Sequence, residues 1–232
     1  MIPNYSRALI VGAGRGLSAS LARLLAREGM QIALAARNID KLGELKAETN
    51  GLVVPCDVAD PTQVMALFQA LDSAFGTPDV VIFNPGRRTR GPLIELDAEA
   101  VAQTLQVSAY GGFLVAQEAA RRMLPRRSGA LLFTGASASV KGYPNSAPFA
   151  MAKFALRGLA QSLARELQPQ GIHVGHVVID GAIRNPGRSE PLDQPDSMLD
   201  PDAVARVYLA LLRQDRSAWS WEIEVRPWTE RF

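Results

Sequence analysis

Six short apolar runs punctuate this chain, at residues 8–11, 32–36, 52–54, 80–83, 130–133 and 172–179, and none of them alternates with polar residues. A strand with one wet face alternates; a continuous run reads as a strand covered on both faces. Helix-length patterns separate the runs. Residues 17–28 carry Leu21, Leu24 and Leu25 along one face, residues 38–48 are amphipathic, and segments 98–123 and 150–167 are long and alanine-rich. Asp60-Pro61 and Asp200-Pro201 each set an acid before a proline, the pairing that opens a helix. Strand–helix–strand repeats of this kind form parallel sheets with right-handed crossovers. The expected fold is therefore α/β: a single-domain, doubly wound, mostly parallel sheet over residues 1–232, with helices on both faces. Near the end, Trp219, Trp221, Ile223 and Val225 alternate with Ser220, Glu222, Glu224 and Arg226, which predicts an edge strand with one polar face. The long irregular stretch is 180–199, with Pro186, Pro191 and Pro195, the length and composition of a lid or binding loop.

Composition narrows the function classes. Apolar residues make up 47% of the chain, enough for a large core. A net charge of +2 provides no basic face for nucleic acid. The single cysteine, Cys56, cannot form an internal disulfide and suits a reducing compartment. Met1-Ile2-Pro3-Asn4-Tyr5 has no basic leader character, and no apolar run approaches the length of a membrane span. The expectation is a soluble cytoplasmic protein. His173 and His176 are three apart on one strand and face opposite ways, so no metal site is expected from them.

The first strand runs into Gly12-Ala13-Gly14-Arg15-Gly16-Leu17-Ser18 and then a helix. Glycine permits the tight turn and lets backbone approach a pyrophosphate, while the helix start offers N–H groups and a positive dipole end. This is the Rossmann-type position for a dinucleotide. At the end of the second strand, where an acid would bind the adenosine 2′-hydroxyl of NAD, the chain has Ala36 and then Arg37. With Arg15 in the glycine turn, two guanidiniums can receive a 2′-phosphate, so NADP(H) is expected ahead of NAD(H).

The spacing Gly-xxx-Gly-x-Gly, with Ser18 at the third glycine, resembles the short-chain dehydrogenase/reductase family. Ser18 is expected to loosen that close contact slightly. Further segments match the family in order. Cys56-Asp57-Val58 resembles its adenine-contacting Asp-Val, and Phe83-Asn84-Pro85-Gly86 its Asn-Asn-Ala-Gly. Lys153 stands at the lysine of Tyr-xxx-Lys, Gly171-Ile172-His173-Val174 at the sixth strand, and Asp180-Gly181 at Pro-Gly. The resemblance covers essentially the whole chain. It implies an NAD(P)-dependent oxidoreductase acting on a small carbonyl or alcohol, with cofactor contacts at Gly12, Gly14, Arg15, Gly16, Leu17, Arg37, Asp57, Val58, Asn84, Gly86, Lys153, Gly181 and Ile183. It also implies a homodimer or homotetramer built on the two long helices.

The catalytic positions depart from the family. Phe149 stands at the tyrosine, Ala136 at the serine and Ser108 at the helix asparagine; only Lys153 matches. Reducing a carbonyl builds charge on its oxygen, which needs a proton and hydrogen-bond donors. Phe149 has no proton to give. The remaining candidates are Tyr143, Ser137, Ser139 or a water on Lys153, and Lys153, Tyr143 and Ser137 form the expected catalytic set. The alternative is a noncatalytic NADP(H)-binding sensor or partner subunit. The arginines of Arg87-Arg88-Thr89-Arg90, after the fourth strand, can either receive an anionic substrate or form a solvated charge run. Trp219, Trp221 and Trp228 are expected to pack a core or a subunit interface.

Overall fold

The computed structural model describes residues 4–230; the first three residues of the segment searched for a leader lie outside the described residues. Each continuous apolar run becomes a strand: β1 (Arg7–Val11), β2 (Gln31–Ala36), β3 (Leu52–Pro55), β4 (Val80–Phe83), β5 (Gly129–Thr134) and β6 (Ile172–Ile179), all buried on both faces except β3, which lies at the sheet edge and is only half-buried. With β7 (Glu222–Val225) they form one seven-stranded sheet in the order β3-β2-β1-β4-β5-β6-β7. Every pairing between neighbouring strands is parallel.

Two apolar layers cover the sheet. On one face lie α1 (Leu17–Arg27), α2 (Gly43–Thr49) and α7 (Pro201–Leu212), packing Leu21, Leu25, Leu45, Tyr208 and Leu211 with Ile10, Leu34 and Leu132. On the other lie α3 (Pro61–Ala74), α4 (Ala98–Leu105), α5 (Gly111–Met123) and α6 (Ala147–Leu167). There Phe68, Leu71, Val115 and Leu156 pack with Leu9, Val81, Phe83 and Phe133. Asp60 and Asp200 cap α3 and α7 through side-chain bonds to the second and third helical amides, each with proline in the first turn.

Three local features differ from the periodicity reading. The segment expected as one helix over 98–123 is interrupted by a π-helical turn at Gln106–Tyr110. Gly111 and Gly112 follow it at close contacts: a Cβ on Gly111 would stand 2.9 Å from Val58, and one on Gly112 2.6 Å from Leu156. The widened turn lets the helix seat these glycines while Ser108 turns inward. The edge strand begins at Glu222, later than the alternation, and its polar side is divided: Glu224 is exposed, whereas Glu222 turns to protein. Glu222 accepts from Arg157 on α6 at 2.6 and 2.7 Å and from His176 Nδ1 at 2.9 Å. The tryptophans also divide. Trp219 stacks on His173 with centroids 4.7 Å apart, and the Arg157 guanidinium lies over Trp221. Trp228 is 81% exposed and reaches the Asp196 carboxylate in the 180–199 loop, so it packs no core.

The strand order reverses between β1, which is followed in space by β2 and β3, and β4 on its other side. The two crossovers leave β1 and β4 in opposite directions across the sheet, opening a crevice at their C-terminal ends.

Candidate functional site

The crevice holds a cleft of about 570 Å³. Its walls are Gly12 and Ala13 after β1, Ala36, Arg37, Asn38 and Lys41 after β2, Cys56, Asp57 and Val58 after β3, and Asn84, Pro85 and Gly86 after β4. The wall set thus comes from four strand ends, the location at which doubly wound sheets take nucleotides. The backbone leaves little freedom at Gly12. Its φ is +78°, and a Cβ there would stand 2.7 Å from the Pro85 nitrogen. Glycine is therefore required by both conformation and space.

Ser18, at the third glycine of the motif, does not loosen the turn. It is buried, donates to the Gly12 carbonyl at 3.0 Å, and accepts from Asn84 Nδ2 at 2.6 Å. Asn84 also donates its backbone N–H to Val11 at 3.0 Å. A short relay from β4 through two side chains thus fixes the glycine turn. Helix α1 begins after Gly16, which offers no capping side chain, and its first turn has no acid. Such a start can accept an anion.

The second-strand end is electropositive. Arg37 and Lys41 line the cleft beside Asn38; Arg15 is exposed and lies off the cleft walls. Lys41 and Asn38 were not among the residues singled out from sequence, because nothing in their local pattern separates them from an ordinary amphipathic helix start. At the third-strand end, Asp57 Oδ1 accepts from the Ala59 N–H at 3.0 Å, holding the turn. Burial pushes the Cys56 thiol up to about 11, leaving it a neutral wall residue.

Lys153 stands at the inner end. It is 4% exposed, and its Nζ donates to the Thr134 carbonyl at 2.7 Å. A Cβ on Gly86 would stand 3.8 Å from the same Nζ, which places the ammonium against the cleft. Burial lowers its pKa to about 8. The carbonyl is a partner that sequence could not supply. Nearby, the Phe149 ring is contacted by two cations, with Lys153 Nζ 5.8 Å and the Arg88 guanidinium 5.0 Å from its centroid.

The other expected residues are dispersed around this end. Ser137 is half-buried in a short 3-10 turn after β5. Ser139 is buried and accepts from the Ala136 N–H at 3.1 Å, a structural bond. Ser108 accepts from the Arg87 N–H at 3.0 Å, tying the π turn to the arginine loop. Tyr143 does not reach the cleft; it is exposed, in a separate pocket with Arg88 and Arg90, its ring 6.0 Å from Lys141 Nζ. Lys141 in turn pairs with Asp180 at 3.0 Å. Gly181 packs against Pro227, and Ile183 forms a short parallel bridge with Leu199. The 180–199 loop crosses to the glycine turn, where a Cβ on Gly16 would lie 3.6 Å from Asn185. The described residues contain no cluster of three or more metal-ligating side chains and no helix long and apolar enough to cross a membrane.

Comparison with known proteins gives the same architecture. Residues 12–219 match a family model described as Enoyl-(Acyl carrier protein) reductase. An uncharacterised oxidoreductase of Staphylococcus aureus (strain N315) is 30% identical over 226 residues, covering 95% of this chain and 96% of that protein. A short-chain dehydrogenase from Rhodopseudomonas palustris superposes with a TM-score of 0.83 at 35% identity, covering 97% of this chain and 100% of the other. An alcohol dehydrogenase from the archaeon Thermococcus sibiricus, solved with 5-hydroxy-NADP, gives 0.86 at 26% identity, covering 98% and 99%.

Proposed function

Because the chain belongs to the short-chain dehydrogenase/reductase family, we propose that it is an NADP(H)-dependent oxidoreductase acting on a small carbonyl or alcohol through an atypical site. The observation that carries this reading is the cleft at the sheet's switch point, lined by the glycine turn at one part and by Arg37 and Lys41 at another. That lining fits a dinucleotide: a turn glycine, Gly12, that no other residue can replace, an open helix start, and cations without an acid at the second-strand end. The Thermococcus sibiricus relative, complexed with 5-hydroxy-NADP, supports the same choice of cofactor.

In this reading Gly12, Gly14, Gly16 and the Leu17 end of α1 receive the pyrophosphate. Arg37 and Lys41, with Arg15 at the mouth, receive the 2′-phosphate. Asp57 and Val58 border the adenine, Asn84 and Gly86 the riboses, and Gly181 and Ile183 the carboxamide end. The nicotinamide, when bound, supplies or accepts the hydride. Lys153 holds the nicotinamide ribose, and a lysine whose pKa lies near 8 can also release a proton at neutral pH, directly or through a water. Ser137 donates a hydrogen bond to the substrate oxygen. Tyr143 is the alternative donor, reached only by a substrate that spans both pockets.

A second reading, a noncatalytic NADP(H)-binding sensor or partner subunit, is favoured by Ala136 and Phe149 alone. We also propose a homodimer or homotetramer, supported by Tyr110, Phe113, Met151 and Phe154, which expose their side chains on α5, α6 and the π turn. The single buried cysteine suits residence in the cytoplasm. The deciding experiment is calorimetric titration of the protein with NADPH and NADH in parallel. NADPH is expected to bind at least tenfold more tightly. Equal affinities would remove the roles given to Arg37 and Lys41, and binding of neither would remove the cofactor reading.

A further inference from the structure

Arg88, whose guanidinium lies 5.0 Å from the Phe149 ring centroid, lines a second pocket of about 280 Å³ with Arg90, Tyr143, Pro144, Asn145 and Ser146. Two loops build it. The Gly91 N–H donates to the Asn145 carbonyl at 3.1 Å, joining the arginine loop after β4 to the turn before α6. Asn145 takes a left-handed conformation, φ +57°, which fixes that turn.

Three features of this pocket call for negative charge. The first is the arginines. Arg88 has no acid among the charges that act on it; burial, Arg90 and Arg188 all lower its pKa. Three guanidiniums that repel one another, one of them supplied by the 180–199 loop, are an arrangement that a bound anion relieves. The second is the start of α6. This 21-residue helix opens at the pocket, with Ser146 as its N-cap and no side-chain capping bond. Pro148 brings no N–H to the first turn, so it is the dipole end and the remaining first-turn amides that are left to an outside partner. The third is Ser146 itself. The residue is 3% exposed and its hydroxyl has no hydrogen-bond partner. A buried orphan hydroxyl is a standing cost to the fold unless a ligand meets it.

We propose that this pocket is an oxyanion subsite that takes the carboxylate or phosphate of an anionic substrate. The Arg88 guanidinium and the Lys153 ammonium stand 5.0 and 5.8 Å from the same Phe149 ring centroid, so an acid held at Arg88 is within one side chain's reach of the ammonium. The family position that holds a proton-donating tyrosine is here an apolar ring that touches both the anion clamp and the buried ammonium. The substrate class is then a small oxo or hydroxy compound bearing a carboxylate or phosphate. That assignment rests on reading the neighbouring cleft as the cofactor site; the anion pocket itself does not.

The test is calorimetry of the full chain with inorganic phosphate and, separately, with malonate, repeated on the Arg88→Gln/Arg90→Gln double variant. NADPH affinity is measured on both proteins. We expect at least one anion to bind the native chain with millimolar affinity, and the double variant to weaken it at least tenfold while NADPH binding changes less than twofold. Malonate alone assigns a carboxylate substrate, phosphate alone a phosphorylated one. Anion binding equal in the two proteins, or absent from the native chain, overturns the subsite. If NADPH binds neither protein while anion binding still depends on the arginines, the cofactor reading falls and the anion pocket stands. Should the double variant misfold, Arg90→Gln and Ser146→Ala are each expected to weaken the anion at least threefold; no change in either overturns the proposal.

Discussion

At the scale of single residues, the departures from the family pattern carry the most information. Phe149 leaves the proton to be found elsewhere. Phe149→Tyr is expected to raise turnover of an accepted carbonyl substrate by about 10²-fold, the low end of what a positioned acid contributes. A variant that binds NADPH unchanged and turns nothing over would favour the noncatalytic reading. Ser18 was legible as a departure, but its role was not. Its partners, the Gly12 carbonyl and Asn84, are six and 66 positions away, and only the fold brings the second within reach. Ser18→Ala is expected to cost about 1–2 kcal/mol, seen as a lower midpoint in urea, because Asn84 loses a buried acceptor. NADPH should bind that variant several-fold more weakly. Lys153 shows the opposite balance. Burial holds its pKa near 8 against 10.5, so the unfolded chain binds more protons between those values and stability rises with pH across that window. Lys153→Met is therefore expected to leave the cofactor-free melting temperature unchanged or higher near neutral pH, while NADPH affinity falls at least tenfold. A large loss of stability would mean that the bond to Thr134 outweighs the buried charge.

Among the elements, β7 and its neighbours show how an edge strand is protected. Its first glutamate, Glu222, is bound by an arginine from α6 and a histidine from β6, so half of the polar alternation faces protein while Glu224 stays exposed. Burial lowers the His176 pKa from 6.5 to about 4 despite Glu222. Burial also lowers His173. Burial raises Glu222, but Arg157 and His176 outweigh it and hold the carboxyl below its ordinary value. All three signs agree. The unfolded chain takes up protons that the fold refuses, so stability falls as pH drops from about 6.5 towards 4. Denaturant midpoints at pH 7.5 and 5 should differ measurably, and Glu222→Gln should reduce the midpoint at both. A flat profile over that interval would mean that the two histidines are solvated. The periodicity of residues 98–123 gave no sign of the π turn. Helical patterning reports a face and not the register of backbone bonds, and the glycines that mark the turn suit an ordinary helix interior poorly but do not say why.

For the molecule as a whole, strand number, parallel order and the switch-point cleft were all legible. Continuous apolar runs, two Asp-Pro helix starts and a glycine turn are local signals that agree with one global arrangement. The second pocket was only half legible. Four residues of the arginine loop could be read as a clamp or as a solvated patch, and the choice depends on α6 starting opposite them, a placement set by tertiary packing. The 180–199 loop was read as a lid from its length and prolines, and one detail of its attachment changes how such a lid behaves. Its two ends are stitched together where Ile183 meets Leu199: Arg184 donates to the Leu199 carbonyl at 2.9 Å and Leu199 to the Ala182 carbonyl at 2.8 Å. The far side is moored to the tail, since Thr229 donates to the Asp196 carbonyl at 3.1 Å. A flap closed at its base like a drawstring bag behaves differently from a hanging strand. A protease that severs it near Gly187 should leave two fragments that stay together, elute as one species, and keep the neighbouring cleft intact.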